Sequence, residues 1–460
     1  MPVRSVPLLL PLTIGLLLAS AHAGAVTITV TSADDSTSHT PCNLRNAITA
    51  INYGNTVLFP GCHATAVGLF GDNDTVMFAA SLANSTITLA QGEISNYAPL
   101  TISGSGQTID AGNTSRVLST IAYLGLKNLT LTHGNFSGNG GALYANQAFV
   151  SLDHVHLGAS RAAAGAGLAV VNGSAALAYT VIDANTAANG AGIFGSAMGA
   201  TLTNSTVSDN TATCSGACGA GIALVNGSNL TLSGSTLARN VASSSGANAA
   251  GALYASGSKV TAVNSTISAN SASGSNAIAG AILEDQPTGT PTMGVWLTNT
   301  TLSANSGAAT SAAALVSGGI LLGPTDTGQL AMANTILAGN NASASGNLTA
   351  TADFAGNGTA TADHSLLGNA MAAAQTGNGN VFADVPGLAA LGNYGGATQT
   401  SALLGSSPAV DSGSNANALS AQSQPLANDQ RGHARIVNAT VDIGAYEFPG
   451  DRIFGDNFGS

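Results

Sequence analysis

Leu202-Thr203-Asn204-Ser205-Thr206-Val207-Ser208-Asp209-Asn210 returns, loosened, at Leu177–Asn185, Leu232–Asn240, Ala262–Asn270, Leu297–Asn305 and Met332–Asn340. Fainter copies start at Leu126 and Leu152. The starts are separated by 26, 25, 25, 30, 30, 35 and 35 residues, and a step of this size marks a solenoid. Within residues 221–240, Ile222 and Leu224 alternate with smaller neighbours, Asn226-Gly227-Ser228 signals a turn, and Leu230 and Leu232 alternate again. Leu237 breaks that parity, so the chain turns a corner before it. Each unit therefore reads as two or three short strands with corners and no helix. Stacking one unit on the next would bury the apolar positions, with strands about 4.8 Å apart. The pattern predicts a parallel β-helix.

Two small-residue columns support it. Asn185, Asn210, Asn240, Asn270, Asn305 and Asn340 close successive units in one phase. Asparagine tolerates left-handed corners, and stacked amides can bond in a ladder. Ala166-Gly167, Ala191-Gly192, Ala220-Gly221, Ala250-Gly251 and Gly318-Gly319 precede strands where a tight corner admits only small side chains.

Charged residues make up only 7% of the chain and Gly numbers 58, a composition that by itself would allow disorder. The regular apolar phase argues against that. A net charge of −11 excludes nucleic acid as an expected partner. Met1–Ala23 reads as a secretory signal: Arg4, an apolar run over Leu8–Leu18, and the box Ala21-His22-Ala23. No later run is long enough to span a membrane. Export suits cysteines that pair, and the expectation is Cys42–Cys62 and Cys214–Cys218, with reduced buried thiols as the alternative. Thr40 to Asn52 reads as a helix, with Thr40 as N-cap, Pro41 as first residue, and Leu44, Ala47, Ile48 and Ile51 on one face. It would lid the first coil, followed by irregular strands at 57–59, 75–78, 87–89, 100–102 and 107–109. Insertions at 243–250, 271–279 and 307–317 fall in one phase and predict a loop-bearing side, joined by the excursion 284–294 ahead of Trp296.

Cys42-Asn43-Leu44-Arg45-Asn46-Ala47-Ile48 with Ile51-Asn52 resembles a segment found at the start of many bacterial secreted right-handed β-helix proteins, with Asn46 where Glu is usual. Leu391-Gly392-Asn393-Tyr394-Gly395-Gly396-Ala397-Thr398-Gln399-Thr400, Gly405-Ser406-Ser407-Pro408-Ala409-Val410-Asp411-Ser412-Gly413, Asp429-Gln430-Arg431-Gly432 and Val441-Asp442-Ile443-Gly444-Ala445-Tyr446-Glu447 resemble the choice-of-anchor Q domain. The resemblance implies an all-β, right-handed parallel β-helix of the pectin-lyase-like kind, ending ahead of a surface-sorting signal. The tail, through Ile453-Phe454-Gly455-Asp456-Asn457-Phe458, is similar to short endings of secreted gammaproteobacterial proteins. The resulting organisation is a signal peptide (1–23), an N-terminal cap with helix and disulfide (24–63), β-helix repeats (64–385), the anchor-Q-like region (386–448) and a tail with a candidate sorting signal (449–460). Asp429, Arg431, Asp442 and Glu447 concentrate charge that could seal the last turn.

Chemistry is sparse. A glycosidase needs two carboxylates facing one bond. Among the repeats the acids are Asp153, Asp183, Asp209, Glu284, Asp285, Asp326, Asp353 and Asp363; Asp183 and Asp209 fall six and seven positions after Leu177 and Leu202, so they are not in one phase, and Arg116, Lys127, Arg161, Arg239 and Lys259 are scattered. His154-Val155-His156 with Asp183 one coil up could hold a metal; two polar residues on an outward strand is the plainer reading. Glu284-Asp285 could bind Ca²⁺, against a solvated loop tip. Trp296, Tyr144 and Tyr254 stand too far apart in sequence to suggest a lectin platform. The sequence thus names no catalytic, cofactor-binding or metal-binding residue. It points to an exported structural or adhesive rod at the surface of a Gram-negative cell, meeting a surface polysaccharide or envelope component. The alternative is an extracellular polysaccharide lyase or glycoside hydrolase.

Overall fold

The computed structural model describes residues 25–64, 70–71, 73–285, 294–311, 315–323, 328–344, 353–356, 358–368, 371 and 375–450. The signal segment, Asp326, residues 451–460 and most of the excursion 284–294 lie outside them. The chain is a right-handed parallel β-helix. One coil runs Ile193–Ser196, Gly199–Thr203, Thr206–Ser208 and Thr211–Cys214, and each strand pairs in parallel with its counterparts in the coils before and after. Among the described residues long sheets result, one of 21 strands that bends at a corner, one of ten and one of seven.

The register reproduces the repeat steps. Leu126 pairs with Leu152, then Leu177, Leu202, Leu232, Ala262, Leu297, Met332 and Ala362 follow in one column. None of these residues is more than 3% exposed. Burying each leucine contributes about 1.5–3 kcal/mol, so the column supplies a large share of the driving force. The extra residues of longer units leave the register intact because they are confined to corners.

Those corners have a common backbone. Asn128, His154, Tyr179, Asn204, Gly234, Asn264, Asn299, Asn334 and His364 all take positive φ at the first corner. Ala159, Ala184, Asp209, Arg239, Ala269, Ala304 and Gly339 do so at the second. The ladder asparagine is therefore not the left-handed residue; the residue before it is. The asparagine's work is hydrogen bonding. Asn210 Nδ2 donates to Asn240 Oδ1 at 3.0 Å, Asn240 Nδ2 to Asn270 Oδ1 at 2.9 Å, and so on from Asn185 to Asn340. Each amide oxygen also accepts the preceding asparagine's backbone N–H, at 3.0–3.1 Å. Asp353 ends the ladder by accepting both bonds from Asn340. Burial raises the Asp353 pKa against those two bonds. At the small-residue corner, a methyl on Gly167, Gly192 or Gly221 would come within 2.5–2.6 Å of a carbonyl oxygen in the next coil.

Helix α1 (Leu44–Tyr53) covers the first coil, with Leu44, Ala47, Ile48 and Ile51 buried. Its N-cap is Asn43, not Thr40: Asn43 accepts from Asn46 N at 2.9 Å, and Gly54 closes the helix in the left-handed region. Asn46 turns its amide to Ser38 O and Pro41 O. Arg45 instead grips Asp35 at 2.7 and 2.9 Å. Residues 57–59 form no strand, and Val57 is 84% exposed; the first strand is Thr27–Val30, paired with Asp74–Phe78. Cys42–Cys62 and Cys214–Cys218 are disulfides.

Two further expectations are corrected. The one-phase insertions are not free loops: Cys218–Gly219, Ala249–Ala250, Ile278–Ala279 and Val316–Ser317 stack into a fourth parallel sheet over a small core that includes Ala212, Cys214, Ala242 and Ile278. The C-terminal region does not simply seal the last turn. It lies along the side of the solenoid, bonded to Gly234, Asn264, Thr301, Asn334 and Asp363, in five successive coils. Its apolar residues Leu403, Ala409, Ile443 and Tyr446 pack against Ile336 and Leu366 of the coils.

Candidate functional site

The C-terminal region divides the outer face of the bent sheet into a covered and an open part. Beneath it, Thr236–Ala238, Thr266–Ser268 and Thr301–Ser303 are buried throughout. In the earlier coil, Val181–Asp183 keeps one residue exposed and one half-exposed. The contact is polar and specific. Thr266 Oγ1 donates to Gln430 Oε1 at 2.6 Å and lies 2.9 Å from Thr400 Oγ1. Gln430 Nε2 donates to Thr236 Oγ1, Thr398 Oγ1 and Gln399 O. The resemblance motifs clasp one another: Asp429 holds Arg431, Arg435 holds Glu447 at 2.8 Å, and Glu447 N donates to Asp429 Oδ2. Arg435 is wholly buried, and the Arg431 guanidinium lies 3.5 Å from the Tyr446 ring centre. Burial pushes Glu447 up to about 7, against the pull of Arg435.

The open part carries two grooves. One, of about 510 Å³, is lined by residues that include Ser105, Asn128, Thr130, His154, His156 and Tyr179. The other, of about 560 Å³, lies between Tyr179, Asn204, Gly234 and the segment 425–432. Tyr179 borders both. His154 and Tyr179, one coil apart, stack with ring centres 4.8 Å apart and planes 17° apart. Both side chains are accessible: the His154 side chain is 58% exposed and Tyr179 46%.

Both rings stand in the left-handed corner column, with φ of 53° and 49°. For a bulky side chain that backbone costs about 1–2 kcal/mol, which Asn or Gly largely avoids. Asn or Gly fills the column at 128, 204, 234, 264, 299 and 334, and His364 stands there in the last coil. Asp153 Oδ1 lies 2.7 Å from His154 Nδ1, and Asp183 Oδ1 lies 2.7 Å from His156 Nε2. Gly158 leaves room for the second pair: a methyl there would sit 2.7 Å from His156 Nε2 and 3.0 Å from Asp183 Oδ1.

Both histidines face outward, as in the plainer reading. Of the three residues that could have met at a metal, Asp183 reaches His156 from the next coil, while His154 bonds Asp153 and stacks on Tyr179. Among the described residues no three His, Cys, Asp or Glu side chains gather to hold a metal. Asp209, Asp285 and Asp363 hold structural partners. Asp209 takes Arg239 in two bonds, which draw its pKa down against the opposing effect of burial. Asp363 bonds Asn417 and His364, and Asn417 first among them draws its pKa down. Glu284-Asp285 is no solvated tip. It ends strand Ile282–Asp285, with Glu284 fully buried and Asp285 accepting from Tyr254 Oη at 3.0 Å and Asn248 Nδ2 at 3.1 Å. Burial first, then Asp285, raises the Tyr254 pKa. Trp296 lies under the Lys259 ammonium at 4.9 Å.

Sequence reading missed the His154–Tyr179 stack, although both residues occupy the Asn204 phase of the repeat. No protein-family model matches the chain, and no curated protein matches its sequence.

Proposed function

We propose that the chain is an exported, surface-held β-helix that works by display and adhesion rather than by catalysis. The observation that carries this reading is the use of the coil acids. Asp153, Asp183, Asp209, Asp285, Asp353 and Asp363 each hold a structural partner in a coil, ladder or clasp. The ladders stiffen the rod, and the open strip offers a surface at a fixed height along it. Two disulfides fit an oxidising compartment, and no helix among the described residues is long and apolar enough to cross a membrane. The anchor-Q resemblance of residues 386–448 makes the C-terminal tail the attachment element.

The second reading, an extracellular polysaccharide lyase or hydrolase, draws on the His156–Asp183 pair inside a groove, an arrangement suited to a general base. One experiment separates the two. Purified protein is incubated with neutral and uronic-acid polysaccharides, with and without Ca²⁺. Display predicts no unsaturated or new reducing ends; their appearance overturns it. Cell fractionation with and without residues 451–460 tests attachment, with release to the medium expected on truncation and an unchanged distribution refuting the role of the tail.

A further inference from the structure

We propose that the stacked His154 and Tyr179 rings are the platform of a saccharide-binding site, and that its ligand is a neutral glycan chain. The proposal rests on the display reading and gives it a ligand.

The argument starts from the corner column. In two of the later coils its side chain is a docking group: Asn264 donates to Asn428 O at 2.7 Å, and Asn334 exchanges two bonds with Ser414. The same strip, continued toward the N-terminus, emerges from under the C-terminal region at Asn204 and Tyr179. There the amides give way to two aromatic rings. Covering chain rewards an amide, which reaches a backbone carbonyl. The faces the two rings turn toward each other are covered by the stack, and the faces turned away from it reward a ligand with a flat apolar face. A pyranose has such a face, built of axial C–H bonds, and hydroxyls around its rim.

The groove supplies the rim partners. Ser105, Asn128, Thr130 and His156 line the same groove as the rings, and His156 is held by Asp183. The stack is held in place by Asp153, whose Oδ1 lies 2.7 Å from the imidazole Nδ1. A platform oriented before the ligand arrives loses less freedom on binding. The charge is wrong for a uronan. Asp153 holds His154 and Asp183 holds His156, the chain carries −11 overall, no Lys or Arg among the described residues lines this groove, and Arg431 in the second groove is bound to Asp429. A neutral sugar suffers no such repulsion. Tyr179 borders the second groove as well, so a chain of several residues can pass from one to the other.

The test uses affinity electrophoresis of the full chain in gels containing galactomannan, mixed-linkage glucan or polygalacturonate, with thermal melting alongside. Wild type is expected to be retarded by at least one neutral polymer and not by polygalacturonate. Tyr179→Asn gives the column the residue it uses elsewhere. It should melt at an unchanged or higher temperature and lose at least tenfold in affinity, whereas Tyr179→Phe should keep the retardation. Absence of retardation in both neutral gels overturns the site while leaving display intact. So does full retardation of Tyr179→Asn, or retardation by polygalacturonate alone. Cleavage of a polymer would instead sink the display reading.

Discussion

Replacing Asn240 with alanine removes one rung from the middle of the amide ladder. The side chain is wholly buried. Its oxygen accepts Asn210 N at 3.1 Å and Asn210 Nδ2 at 3.0 Å, and its Nδ2 donates to Val207 O at 3.0 Å and Asn270 Oδ1 at 2.9 Å. Asn210 Nδ2 keeps Ile182 O and Ser208 O, and Asn270 Oδ1 keeps Asn240 N, so neither is stranded. The Asn210 N–H loses its acceptor outright, and Val207 O loses an amide donor. A buried polar group without a partner costs about 1–3 kcal/mol, so Asn240→Ala should cost about 3 kcal/mol. Solenoids can open locally rather than all at once, so the assay must be local as well as global. Urea unfolding gives the total, and hydrogen exchange at the Asn210 amide gives the place, with exchange expected to quicken roughly a hundredfold. Asn240→Asp is a sharper case. It sets a carboxylate oxygen against Val207 O and Asn270 Oδ1, and should be at least as damaging at neutral pH. Asn229→Ala, on the exposed strand edge of the same coil, is the control and should stay within about 0.5 kcal/mol. If Asn240→Ala is no more costly than that control, the ladder does not hold the coils together.

Other outcomes follow from the same contacts. Thr266→Val removes a hydroxyl that links Gln430 and Thr400, strands Gln430 Oε1, and should cost about 1–3 kcal/mol, read as faster proteolysis within residues 386–448. Opening Cys42–Cys62 frees a 20-residue span and should cost about 3 kcal/mol, against about 2 for the four-residue span of Cys214–Cys218, in paired Cys→Ala variants under denaturant. Glu447, pushed to about 7 from 4.5, binds its proton more tightly folded than unfolded. Its contribution is therefore full below pH about 4.5 and is lost as pH rises through about 7; melting of the C-terminal region should fall over that window, and Glu447→Gln should flatten the profile. Gly158→Ala should displace the His156–Asp183 pair and weaken glycan retardation while leaving disulfides and coil register unchanged by mass mapping and circular dichroism.

The coil column was legible in the sequence because burial is periodic. Leu177, Leu202 and Leu232 must fall in one phase if coils are to stack, and their spacing survives insertions confined to corners. The ladder was legible for the same reason, since Asn210 and its equivalents repeat with the column. What the sequence hid is contact between distant segments. Gln430 meets Thr236 across 194 residues, and no periodicity announces it. The C-terminal motifs therefore read as an end seal although they lie along the side. Glu284 looked like a loop tip because its charge outweighed the apolar Ile282 and Leu283 before it. The insertions looked like loops because alternating Ala, Ser and Gly give too faint a hydrophobic signal to mark a strand. The binding platform did leave a trace: His154 and Tyr179 stand next to each other in a phase held elsewhere by Asn, Gly and, in the last coil, His364, and a costly residue where a cheap one is the habit is a sign of use.

Distances between coils test the whole account most directly. Phe149, Asn229 and Thr359 stand in one exposed column of the bent sheet, and the pairings place Asn229 four coils and Phe149 seven coils from Thr359. Spin labels carried on unnatural side chains at these sites, read by pulsed electron paramagnetic resonance, should lie about 19 Å apart for 229–359 and about 34 Å for 149–359. Broad distributions, or separations that do not scale with the number of coils between the labels, would contradict a stacked column and the groove built upon it.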